Sequence, residues 1–140
     1  MLNSTEIDKA NIDELIKQFF GIFNNKDKSK HDWDLIFSIC IPETIIVKKN
    51  GLEQTIYNLK KFIEPRKTIL TDGTLTSFEE TEINEQTVIT NNIAQRKSRY
   101  QKSGYLKNQH FSQFGTKLFH LIRTSKGWQI SAVAWEDDKV

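Results

Sequence analysis

The carboxylates Asp32, Asp34, Glu79, Glu80 and Glu82, together with Tyr100, are the residues whose types and spacing suit acid–base chemistry. An isomerase, cyclase or dehydratase needs a carboxylate base and a hydroxyl or acid donor, held in an apolar pocket that tunes their pKa values. Glu80 and Glu82 are two residues apart, so on a strand they share one face, and Tyr100 could supply an oxyanion donor. The plainer reading is that Asp32 caps a helix and the glutamates face water or pair with Lys and Arg across a sheet. The pattern assigns no catalytic residue and leaves open whether the protein is an enzyme.

Other chemistries have less behind them. His31, His110, His120 and Cys40 are the histidines and the single cysteine. On a continuous strand His110 and His120 would be about 33 Å apart, too far to share an ion. No metal site and no cofactor is expected. Cys40 lies in Phe-Ser-Ile-Cys-Ile, where a thiol packs as a small hydrophobe. Lys117 has two readings: it holds an anion at a pocket mouth, or it snorkels past the sheet edge into solvent. The run Arg96-Lys97-Ser98-Arg99-Tyr100-Gln101-Lys102 mixes bases with an aromatic, as single-strand binders do. Alternation divides its charges between both faces of a strand, so no stripe forms. A net charge of +2, from 20 basic and 18 acidic residues, also argues against a nucleic-acid partner.

These residues need elements to place them. The 140 residues fit one domain spanning 1–140, long enough for a core without disulfides. Hydrophobic residues at 37% support a packed globule. No apolar run approaches the roughly 20 residues of a membrane span, and the N-terminus lacks the pattern of a secretion signal. The expectation is a cytoplasmic protein without membrane contact.

Ile12, Leu15, Ile16, Phe19, Phe20 and Phe23 recur at helical spacing, with Thr5-Glu6-Ile7-Asp8 as a variant capping box at the start. Asp32 is placed to cap a short second helix stopped by Pro42. Thr44–Val47 reads as a strand and Asn50-Gly51 as a turn. Leu52, Ile56, Leu59 and Ile63 suggest a third helix closed by Pro65. The period then changes to β: Leu75–Val88, Ile93–Gln101, a polar loop over 102–112, and a terminal hairpin. The turn between the first two long strands is either Asn84-Glu85-Gln86 or Asn91-Asn92. Helices first and a meandering sheet second give an α+β fold, with helices on one face of a mostly antiparallel sheet.

A turn at Thr124–Gly127 sets Arg123 opposite Trp128, Leu121 opposite Ile130 and Phe119 opposite Ala132. One face then carries Phe119, Leu121, Trp128, Ile130, Ala132 and Ala134, expected beneath the helices. The other carries His120, Ser131, Val133 and Trp135, a mixed set suited to a subunit interface.

The order of elements, with Glu80-Thr-Glu82-Ile83, Asn92-Ile93-Ala94, Ser98-x-Tyr100, Gly115, Leu121-Ile-Arg123 and Trp128-x-Ile130 to Trp135, resembles the nuclear transport factor 2-like superfamily, which includes SnoaL-like cyclases and ketosteroid isomerases. The resemblance is nearest to its small uncharacterised bacterial branch and covers nearly the whole chain. It implies a cone-shaped domain with about three N-terminal helices on a curved sheet, a pocket between them, and frequent homodimers formed through sheet faces. The expectation is a small-molecule-binding homodimer. Trp33, Phe37, Phe119 and Trp128 would wall its pocket, and Tyr100 and Lys117 would add polarity. The alternatives are an enzyme using a pocket carboxylate as base and an interaction module built on the face around Trp135.

Overall fold

A computed structural model describes residues 3–26 and 31–139; residues 1–2, 27–30 and 140 lie outside the described residues. The chain runs α1 (Ser4–Gly21), α2 (Leu35–Ile39), β1 (Cys40–Asn50), β2 (Glu53–Tyr57), α3 (Leu59–Thr71), β3 (Leu75–Thr90), β4 (Ile93–Leu106), β5 (Gln109–Thr124) and β6 (Gly127–Asp137). The strands form one mixed sheet in the order β2-β1-β6-β5-β4-β3, parallel only where β1 meets β6. The fold is α+β.

Helix α1 buries the expected stripe, Ile12 to Phe20. Its cap is Asn3, whose side chain accepts the Glu6 N–H at 2.9 Å, rather than Thr5. Asp34, not Asp32, precedes α2, and its side chain makes no capping bond. Pro42 lies within β1 instead of ending a helix. The β1–β6 register breaks between Cys40 and Ile45, where a residue without an N–H can be accommodated.

The helix expected from Leu52 begins later. Asn50-Gly51, with Gly51 at φ 61°, turns the chain back so that Glu53–Tyr57 pairs with β1. Apolar residues four apart imitated a helix there, and Leu52 and Ile56 end up exposed. Asn58 caps α3 by accepting the Lys61 N–H at 2.8 Å, and the helix continues through Pro65 to Thr71. The β3–β4 turn is Asn91-Asn92. The expected loop over 102–112 is strand on both sides of a turn at Lys107 and Asn108, both at positive φ. Positive φ at both central residues closes a tight hairpin whose twist suits the flanking strands.

The terminal hairpin pairs as expected near its turn, Arg123 with Trp128 and Leu121 with Ile130. Farther on, His120 rather than Phe119 faces Ala132, so Ser131 is the extra residue of a bulge. The shift inverts the rest of β6. Val133 and Trp135, expected on the outer face, are 2% and 6% exposed, while Ala132 and Ala134 lie outward. The inner face packs on the helices through aromatic edges: Phe19 meets Phe119 at 5.3 Å between centroids, and Phe62 meets Trp135 at 5.6 Å.

Candidate functional site

A cavity of about 430 Å³ opens between α3, the C-terminal end of α1 and the inner face of the sheet. Phe23, Ile69, Leu70, Phe78 and Phe111 give it apolar walls. Its charged lining comes from five strands and one helix: Lys48 (β1), Arg66 (α3), Glu80 (β3), Lys102 (β4), Lys117 (β5) and Asp137 (β6). Strand alternation puts these side chains inward, since Glu80 pairs with Lys102 and Lys117 with Trp135 across neighbouring strands.

Lys117 is the most enclosed of these cations. Its Nζ lies 3.5 Å from Glu80 Oε1, with both side chains nearly inaccessible. The same Nζ sits 4.2 Å from the Tyr100 ring centroid, 4.8 Å from Trp135 and 5.7 Å from Phe20. Burial pulls the Lys117 pKa below the ordinary lysine value, against the opposing charge of Glu80.

Beside it, Tyr100 donates its hydroxyl to Asp137, and Lys102 Nζ lies 3.0 Å from the same carboxylate. Burial and the Asp137 carboxylate raise the Tyr100 pKa, so this phenol stays protonated at neutral pH. Burial alone would raise Asp137, but the Tyr100 hydrogen bond and the Lys102 charge outweigh it and hold the group below its usual value.

A separate buried network anchors α1 on β3 and β4. Arg96, 3% exposed, donates to Glu82 and to Asp13, while Ser98 also donates to Glu82. Glu82 therefore has two donors already. At the end of the sheet away from the cavity, Arg123 donates to both oxygens of Asp8, and the Trp128 indole donates to Oδ1 at 3.2 Å.

Of the residues expected to form a pocket, only Lys117 lines the cavity, and Tyr100 supports it from beneath. Phe119 is fully buried against Phe19 and Phe20, so the space between α1 and the closing hairpin is solid core. Trp128 is engaged with Asp8 away from the cavity. Trp33 stacks on His31 at 4.3 Å, and Phe37 is exposed. Of the expected interface residues, His120 and Ser131 remain on the outer side, whereas Val133 is core and Trp135 is cavity wall.

The sequence reading overlooked Lys48, Arg66, Lys102 and Asp137 as site residues. Arg66 was hidden by treating Pro65 as a helix stop, and Lys102 by assigning it to a loop. Asp137 could have been found by carrying the alternation of β6 past Trp135, once the Ser131 bulge was allowed for.

No family model matches the sequence, and no curated protein matches it. Solved structures do. A protein of Kribbella flavida superposes with a TM-score of 0.78 at 16% identity, covering 97% of this chain and 94% of its own. A nuclear transport factor 2-like superfamily protein of Salmonella enterica gives 0.78 at 14% identity, covering 98% and 95%. A nuclear transport factor 2-like protein with a cystatin-like fold, from Novosphingobium aromaticivorans, gives 0.69 at 11% identity, covering 97% and 90%. At these identities the likeness is one of fold, and it agrees with the residue pattern: the chain has the nuclear transport factor 2-like fold.

Proposed function

We propose that this protein binds a small molecule in the cavity beneath α3 and works as a homodimer. The observation that carries the reading is the cavity itself: aromatic and aliphatic walls over a floor where Lys117, Glu80 and Asp137 are already fixed by neighbours. Apolar enclosure with a few pre-positioned polar groups is the usual character of a small-ligand site. Pairing would use the outer sheet face, where His120 and Ser131 neighbour exposed Leu118, Ile93 and Val88. Native mass spectrometry of freshly purified protein tests both parts. A dimer mass carrying a retained small molecule supports the reading; a monomer would overturn the pairing, and failure of any small-molecule library to bind would overturn the site.

A second reading, an isomerase-, cyclase- or dehydratase-type enzyme, draws on the two carboxylates that line the same cavity. Glu80 is the better base in that reading, because Asp137 already accepts from Tyr100 and Lys102. Proton exchange into a bound carbon acid from deuterated water, abolished by Glu80→Gln, would favour it over simple binding.

A further inference from the structure

The charges around the cavity do not balance. Lys117 is matched by Glu80 and Lys102 by Asp137, which uses both lining carboxylates. Lys48 and Arg66 line the same space, and no described carboxylate forms an ion pair with either.

Arg66 is the better placed of the two. Its guanidinium lies over the Phe62 ring at 3.9 Å, with Tyr57 at 5.2 Å and Trp135 at 5.6 Å. Nη1 donates to the Phe62 carbonyl at 3.0 Å, leaving other donors of the fork unused by that bond. The three rings and the Phe62 carbonyl confine the guanidinium, so less freedom is lost when a planar anion docks on it. Burial, the largest influence, draws the Arg66 pKa below the ordinary value, with Tyr57 and Glu80 opposing it. An anion brought alongside would offset that desolvation.

We propose that the cavity takes a small organic carboxylate with an aromatic or alicyclic body, its carboxylate held in the fork of Arg66 and its body against Phe23, Ile69 and Phe78. The inference rests on the reading of this cavity as a ligand site and adds the chemical class of the ligand. A carboxylate matches the planar fork through two parallel hydrogen bonds. A cationic ligand would instead meet surplus positive charge. Lys117, one of whose two sequence readings was an anion holder, is occupied by Glu80 and serves as floor.

Three probes of one shape separate the possibilities: 2-naphthoate, 2-naphthalenemethanol and 2-naphthylmethylamine, titrated against the full chain by calorimetry. Naphthoate is expected to bind at least about tenfold more tightly than the alcohol, and the amine more weakly than either. Arg66→Gln is expected to remove most of the acid's advantage over the alcohol. Equal affinity for acid and alcohol, or an acid preference untouched by Arg66→Gln, would overturn the carboxylate assignment while leaving the ligand site standing. Failure of all three to bind would count against the cavity as a ligand site and would take this inference with it. The acid–alcohol comparison needs only the unmodified protein, so it holds even if the variant folds poorly.

Discussion

Tyr100 reaches over Gly115 to place its hydroxyl on Asp137. The three residues form one row across β4, β5 and β6, and the row works only because its middle position has no side chain. A methyl group at Gly115 would lie 2.0 Å from the Tyr100 hydroxyl oxygen and 2.8 Å from the Glu136 carbonyl oxygen. Gly115→Ala is therefore expected to lower stability by about 1–3 kcal/mol, the usual cost of overpacking. Tyr100→Phe, which removes only a hydrogen bond to a charged group, should cost about 1.5–3 kcal/mol. Urea unfolding measures both; an unchanged midpoint for Gly115→Ala would show that the ring is not confined.

The Lys117–Glu80 pair should respond differently to single and double replacement. Lys117→Met leaves a carboxylate in an apolar setting and is expected to cost about 3–5 kcal/mol. Adding Glu80→Leu removes the stranded charge, and the double variant should recover most of that loss or exceed the parent. Denaturant titration of the two singles and the double gives the coupling. Additive losses would show that the two groups do not depend on one another.

Acid should weaken the fold through specific carboxylates. Asp8 is held below its ordinary pKa by hydrogen bonds from Arg123 and Trp128. For Asp13, burial pushes upward, but the hydrogen bonds from Arg96 and Lys9 prevail and the pKa is lowered; Asp137 is lowered likewise. A depressed carboxylate binds its proton more readily in the unfolded chain. Its stabilisation is complete above the unfolded value, about 3.9, and is lost as pH falls through the folded value. The urea midpoint should hold steady down to about pH 5 and then fall. Asp8→Asn should start lower at neutral pH and lose less on acidification; parallel curves for parent and variant would remove Asp8 from the account.

The outer sheet face and the inverted half of β6 predict opposite outcomes for two charged replacements. Leu118 is 50% exposed on the outer face. Leu118→Glu should leave the circular dichroism spectrum nearly unchanged while sedimentation reports monomers. Trp135→Asp places a charge beneath α3, and this variant should lose its cooperative unfolding transition. A dimer that survives Leu118→Glu would move the pairing surface elsewhere.

The extent to which this molecule could be read from its residues varied with the kind of signal. The α1 stripe from Ile12 to Phe20 and the Thr124–Gly127 turn were legible because each rests on local periodicity or turn chemistry. The boundary near Leu52 was misread because apolar residues at 52, 56, 59 and 63 satisfy helical spacing, whereas the Asn50-Gly51 turn and pairing with β1 decide the outcome. The inward turn of Trp135 depends on one unpaired residue at Ser131, and alternation cannot reveal where a strand skips a beat. The cavity was harder still. Its lining gathers Lys48, Arg66, Lys102 and Asp137 from four separate elements, and only the assembled sheet with α3 packed on it brings them together.

The surplus residue in β6 makes pairing register matter more there than side-chain identity. Drawing Ser131 into the ladder as an ordinary paired residue would flip everything downstream, exposing a valine and an indole and tucking two alanines beneath the helices. Asp137 would swing to the wrong side and Tyr100 would be left reaching for nothing. Most exchanges along that ribbon should be forgiven before a slip in its register.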